Sequence, residues 1–114
     1  MADQLTKARI LEAQDLPLKE VPVPEWGGKV FVRMMTAGQR DAFEAEQTTN
    51  PHRDLRARLA VATVCDEAGE LLFTAEDVPT LTKKSARALD RIFAAAARHN
   101  GITQADVDEL RKNS

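Results

Sequence analysis

The spacing of apolar residues changes along the chain, and each change marks an element. Residues 1–18 are mixed, with a short helix predicted from Thr6 to Ala13, where Ile10 and Leu11 supply the one substantial apolar pair. From Val21 the run Val21-Pro22-Val23-Pro24-Glu25-Trp26, then Gly27-Gly28, then Lys29-Val30-Phe31-Val32-Arg33-Met34-Met35 reads as a β-hairpin. The Gly-Gly pair suits the positive φ angles of a tight turn, and the residues after it are β-branched or aromatic. Pro22 and Pro24 lack N–H groups on one side of the first strand, which makes it an edge strand. By alternation Val30, Val32 and Met34 form the core-facing set, and Phe31, Arg33 and Met35 the other. Thr36 and Gln39 have the spacing of a capping box, so a helix is expected from Ala37 to about Gln47, lying on the sheet through Phe43, its one large apolar residue. Thr48-Thr49-Asn50-Pro51 ends it.

Leu55 to Cys65 suits neither period cleanly. Val61, Thr63 and Cys65 alternate and Asp66-Glu67-Ala68-Gly69 is turn-like, so a second hairpin returning through Leu71–Phe73 is favoured over a continuous helix. Thr74 then opens a helical turn, with Phe73 before the cap and Val78 after it at the spacing of a hydrophobic staple. The strongest helix is expected from about Thr82 to His99, with Ala86, Leu89, Ile92, Phe93, Ala96 and Ala97 on one side. Asn100-Gly101 closes it as a left-handed cap. A last helix is expected from Gln104 to about Lys112, capped by Thr103, with Ile102 and Val107 as its staple and its acidic residues placed ahead of its basic ones. The expected fold is therefore α+β: one small domain over residues 1–114, hairpins packed against a few helices, the carboxyl-terminal half mainly helical. Residues 1–18 are expected to be loosely attached. The hairpin and the long helix should bury Val30, Val32, Leu89, Ile92 and Phe93 between them.

Composition narrows the function. A chain of 114 residues, 43% hydrophobic and 30% charged, is long enough for one core and too apolar to be wholly disordered. Its net charge of -2 gives no electrostatic reason to expect a phosphate backbone as partner, so nucleic acid is disfavoured. Arg53, Arg56 and Arg58 are the densest basic cluster and read as a solvated edge. With Cys65 as the single cysteine no intrachain disulfide is available, which fits a reducing cytosol. Neither a signal peptide nor a run long enough to span a bilayer is present in the sequence, so no membrane partner is expected.

No catalytic constellation assembles. His52 falls in a loop, His99 at a helix end and Cys65 in a strand, where surface, capping and core roles are their ordinary ones. The stretch after Asp66 fails as a calcium loop, because its sixth and twelfth positions are Leu71 and Asp77 rather than Gly and Glu. Gly27-Gly28 is not followed by the Lys-Ser or Lys-Thr of a phosphate-binding loop. The chain is therefore read as a non-enzyme with no cofactor and no metal.

The run Val21-Pro22-Val23-Pro24-Glu25-Trp26-Gly27-Gly28-Lys29-Val30-Phe31-Val32-Arg33, followed by Gln39-Arg40-Asp41-Ala42-Phe43-Glu44, resembles the tail assembly chaperones of long-tailed bacteriophages. So do Arg56-Ala57-Arg58-Leu59, Cys65-Asp66-Glu67-Ala68-Gly69, Leu72-Phe73-Thr74-Ala75-Glu76-Asp77-Val78, Ser85-Ala86-Arg87-Ala88-Leu89-Asp90-Arg91-Ile92-Phe93 and Asn100-Gly101-Ile102-Thr103. The likeness covers roughly residues 8 to 114 and rests on the order and spacing of these pieces together. It departs at Gln39, where related sequences often carry Glu; Gln serves equally in a capping box.

The resemblance implies a non-catalytic chaperone of a phage or prophage. Such a protein binds the tape measure protein in the host cytoplasm before the tail tube polymerises, and is absent from the mature virion. It further implies a longer product of programmed frameshifting that recruits tail tube protein. The ending Arg111-Lys112-Asn113 admits a slippery heptamer, A-AAA-AAC, across its codons. The alternative is a small cytosolic regulatory adaptor that binds a folded protein or nucleic acid, separated by whether tail genes flank the coding region. Self-association is left open by both. For the partner surface the sequence nominates apolar residues that so small a domain leaves exposed: Trp26, Phe43, Val107 and Leu110.

Overall fold

Valine-rich runs on either side of a proline-glycine loop favour paired strands, and in the computed structural model, which describes residues 3–49 and 53–102, they pair. β1 (Leu18–Val23) runs antiparallel to β2 (Gly28–Arg33), with Val21 opposite Val30 and Pro22 opposite Lys29. The Met34 N–H donates to the Pro17 carbonyl at 3.3 Å. Bonded and non-bonded pairs alternate along an antiparallel ladder, so this bond places Pro22 at a non-bonded position, where its missing N–H costs nothing. β1 is the edge strand, as expected, in the order β1-β2-β3.

The turn differs from expectation. Val23 faces Gly28, so the connection is the longer Pro24-Glu25-Trp26-Gly27, with Pro24–Trp26 in a single 3-10 turn. Gly27 alone turns left-handed, at φ +72°, and its N–H donates to the Pro24 carbonyl at 3.0 Å. Pro24 presets φ for the start of that turn, which leaves Gly28 to begin β2. The core face also differs in part. Val32 is buried as expected, but Val30 and Met34 are only half-buried, and Met35 is buried in Met34's place. β2 ends at Arg33, so strict alternation no longer governs the two methionines.

α2 (Ala37–Thr49) begins with the expected capping box: the Gln39 N–H donates to Thr36 Oγ1 at 3.1 Å and the Thr36 N–H to Gln39 Oε1 at 2.9 Å. It packs against the next helix rather than lying on the sheet through Phe43. That helix is the main correction. Leu55–Thr63 is helical (α3), and only Val64–Cys65 form a strand, β3, paired with Phe31 and Val32 of β2. Leu55, Ala57, Arg58, Leu59, Ala60 and Thr63 of α3 are all buried, so the helix lacks the polar face that betrays a helical period. The expected turn does exist. The Asp66 N–H donates to the Glu70 carbonyl at 2.9 Å, Gly69 is left-handed at φ +86°, and Cys65 bridges to Leu71, a three-residue loop with a glycine bulge.

Thr74 caps the next turn, its N–H donating to Asp77 Oδ2 at 2.8 Å, and a 3-10 turn over Ala75–Asp77 leads into α4 (Val78–Leu81). α5 (Ala86–His99) starts later than Thr82, because Ser85 is the cap, accepting the Ala88 N–H on its Oγ at 3.2 Å. Its inner face holds Ala88, Leu89, Ile92, Ala96 and Ala97 against the sheet and α3, whereas Phe93 is half-buried and Ala86 exposed. At its carboxyl end Gly101 is left-handed (φ +69°), its N–H donating to Arg98 O at 3.1 Å and that of Ile102 to Ala97 O at 2.8 Å, the two bonds of a Schellman motif. The short amino-terminal helix α1 (Lys7–Glu12) buries nothing; Ile10 and Leu11 are 55% and 73% exposed. The expected helix from Gln104 to about Lys112 lies outside the described residues, as do Asn50, Pro51 and His52.

Candidate functional site

α2 and α3 do not close on one another along their whole length, and the turn entering α4 forms a third wall. The result is a groove of about 490 Å³ lined by Ala42, Phe43 and Glu46 of α2, Val61 and Ala62 of α3, and Val78 and Pro79. Gln39, Ala42, Phe43 and Glu46 fall on one side of α2 because they recur at helical spacing. Small residues on both helices, Ala42 and Ala62, leave the space that larger side chains would fill. The rim is polar: Arg53 and Asp54 are exposed, and the largely buried Arg58 sets its guanidinium 3.7 Å from the Glu46 carboxylate. A groove with an apolar floor and charged edges suits the apolar face of an amphipathic helix better than a small polar substrate.

Of the residues nominated from sequence as exposed, Phe43 is instead buried in the core, 7% exposed, and lines this groove. Trp26 is 39% exposed in the β1–β2 loop and does not line the groove. Beside it the Arg91 guanidinium donates to Glu25 at 2.9 Å and holds that carboxyl below its ordinary range. Val107 and Leu110 lie outside the described residues. Sequence reasoning missed Ala42, Val61 and Ala62. Besides Phe43, the signal pointing to this region was the staple position of Val78.

The groups nearest to catalytic chemistry are occupied structurally. Cys65 is buried, and burial pushes its thiol above the ordinary range, with the Arg33 cation opposing that and Asp66 adding to it. His99 Nε2 lies 2.7 Å from the Pro17 carbonyl, tying the end of α5 to the chain leading into β1. Among the described residues no group of three His, Cys, Asp or Glu side chains is placed to hold a metal, and no helix is long and apolar enough to cross a membrane.

No protein-family model and no curated protein sequence matches the chain. Among solved structures the tail assembly chaperone of bacteriophage HK97 matches it at a TM-score of 0.59 and 17% identity, over 85% of this chain and 92% of that one. The chain has the fold of a phage tail assembly chaperone. At that identity the likeness is one of fold.

Proposed function

We propose that this protein is a non-catalytic tail assembly chaperone of a phage or prophage, which binds the tape measure protein in the host cytoplasm and is left out of the finished virion. The observation that supports this reading is the shared chaperone fold across 85% of the chain. The groove between α2 and α3 gives the reading a surface. A tape measure protein is a long helical chain with apolar stripes, and such a stripe fits an apolar floor made by Phe43, Val61 and Val78. Trp26, exposed in the β1–β2 loop away from the groove, and Val107 and Leu110 are proposed as further contacts to the same partner. Tail tube protein is recruited mainly by a longer frameshifted product that branches at the codons for Arg111 to Asn113.

The test is co-expression with the tape measure protein of the same phage or prophage. Ala42 is exposed on α2 and lines the groove, so Ala42→Arg fills the groove without disturbing the core. The variant should keep the wild-type circular dichroism and melting temperature yet leave the tape measure protein insoluble. A wild-type chain that fails to raise soluble tape measure protein would sink the proposal. An Ala42→Arg variant that still solubilises it would move the contact off the groove.

A further inference from the structure

A second cavity, of about 520 Å³, shares Asp54 with the groove. Its floor is apolar, made by the buried Leu55 and Ala57 of α3 and Leu89 of α5, and its rim carries the exposed Arg56 and Lys84. We infer that this cavity takes an acidic segment of the same partner chain whose apolar stripe fills the groove, its carboxylates meeting Arg56, Lys83 and Lys84; this rests on the groove being the partner site. Because Asp54 belongs to both, a chain seated in the groove reaches the cavity without leaving the surface.

Charge supports it. Lys83 and Lys84 are exposed and stand in no ion pair among the described residues, whereas Arg56 is held by Asp90 and Arg91 by Glu25. Arg87 adds an exposed cation in the first turn of α5. Neither α3 nor α5 has an acidic residue in its first turn, where the helix dipole favours one, so cations gather where they are least welcome to the fold. The two lysines are also positioned. The Lys83 N–H donates to Thr80 O at 3.1 Å and the Lys84 N–H to Leu81 O at 3.0 Å, while Thr82 Oγ1 donates to Pro79 O at 2.7 Å. Asp54 opposes them: it precedes α3 at φ +54° but its carboxylate caps no N–H there. A polypeptide suits the cavity better than a nucleic acid. Among the described residues no aromatic side chain lines it to stack a base, and Leu55 and Leu89 suit the methylenes of a glutamate.

Isotope-labelled full-length chain and a short, capped oligoglutamate peptide give the test. Saturable shifts are expected at the amides of Arg56, Lys84 and Leu89, weakening with salt as exposed charges are screened. Lys83→Glu together with Lys84→Glu should lower the affinity about tenfold, with unchanged circular dichroism. Asp54→Asn removes the opposing charge, keeps a side chain suited to the left-handed backbone, and should raise the affinity about twofold. No shifts, shifts confined to other surfaces, or undiminished binding by the double-lysine variant each overturn the inference. Tighter binding of single-stranded oligothymidylate than of oligoglutamate would make this a nucleic-acid site and overturn it too. With co-expressed tape measure protein, the double-lysine variant should retain less partner at low salt, about a tenth, while Ala42→Arg loses it at every salt concentration. Equal retention by the lysine variant would overturn the inference and leave the groove in place. A wild-type chain that binds oligoglutamate but no tape measure protein would overturn the proposed function and leave the cavity an acid-binding site, so the two fail separately.

Discussion

Asn100 and Gln47 are both buried amides, and their opposite surroundings set opposite expectations. Asn100 spends its whole side chain: Oδ1 accepts the Met35 N–H at 2.7 Å, and Nδ2 donates to Ala96 O at 2.9 Å and Arg33 O at 3.2 Å. Asn100→Ala strands a buried donor and acceptor, and should cost about 2 to 4 kcal/mol in urea denaturation. Gln47 is 1% exposed, yet neither its amide nitrogen nor its oxygen has a partner among the described residues. Gln47→Leu removes a desolvated polar group at similar volume, and should raise stability by about 1 kcal/mol in the same assay. The sequence shows Asn100-Gly101 to be a cap, because the left-handed glycine is a local signal. The role of Asn100 in joining three elements is not legible there, since its partners Arg33 and Met35 stand more than sixty residues away.

Elements were legible where a short-range rule decides them. The capping box at Thr36 and Gln39, the cap at Thr74 and the proline-bearing edge strand each follow from a few neighbouring residues. α3 was not legible. A helix surrounded by α2, α4, α5 and the sheet buries residues on nearly every side, so no stripe repeats, and its β-branched Val61 and Thr63 imitate a strand. Thr63 resolves its hydroxyl inside the helix by donating to Leu59 O at 2.7 Å. α5 carries the reverse lesson, since its stripe is clear but takes in the exposed Ala86 and the half-buried Phe93 and misses the buried Ala88. A fully buried Phe93 would cost about 3 to 5 kcal/mol on change to alanine. Half-buried as it is, Phe93→Ala should cost about 2 kcal/mol, read as a lowered midpoint in a thermal or urea transition.

Across the whole molecule, the groove was illegible for a different reason from α3. Its walls come from three separated stretches, around Ala42, Val61 and Val78, and only the packing of α2 on α3 makes them neighbours. The overall arrangement of sheet and helices was more accessible, because order and spacing of common elements define it jointly. One junction constrains it further. α3 ends at Thr63 and β3 begins at Val64, with nothing between them. The joint is therefore keyed like a shaft in its socket. One added residue turns the helix by about 100° relative to the strand and swaps which side chains of the strand face inward. An alanine inserted between Thr63 and Val64 should abolish cooperative unfolding, whereas one inserted after Glu67 in the exposed turn should leave a cooperative transition. The protein can vary in length at its loops, but at this joint its evolution is confined to substitution.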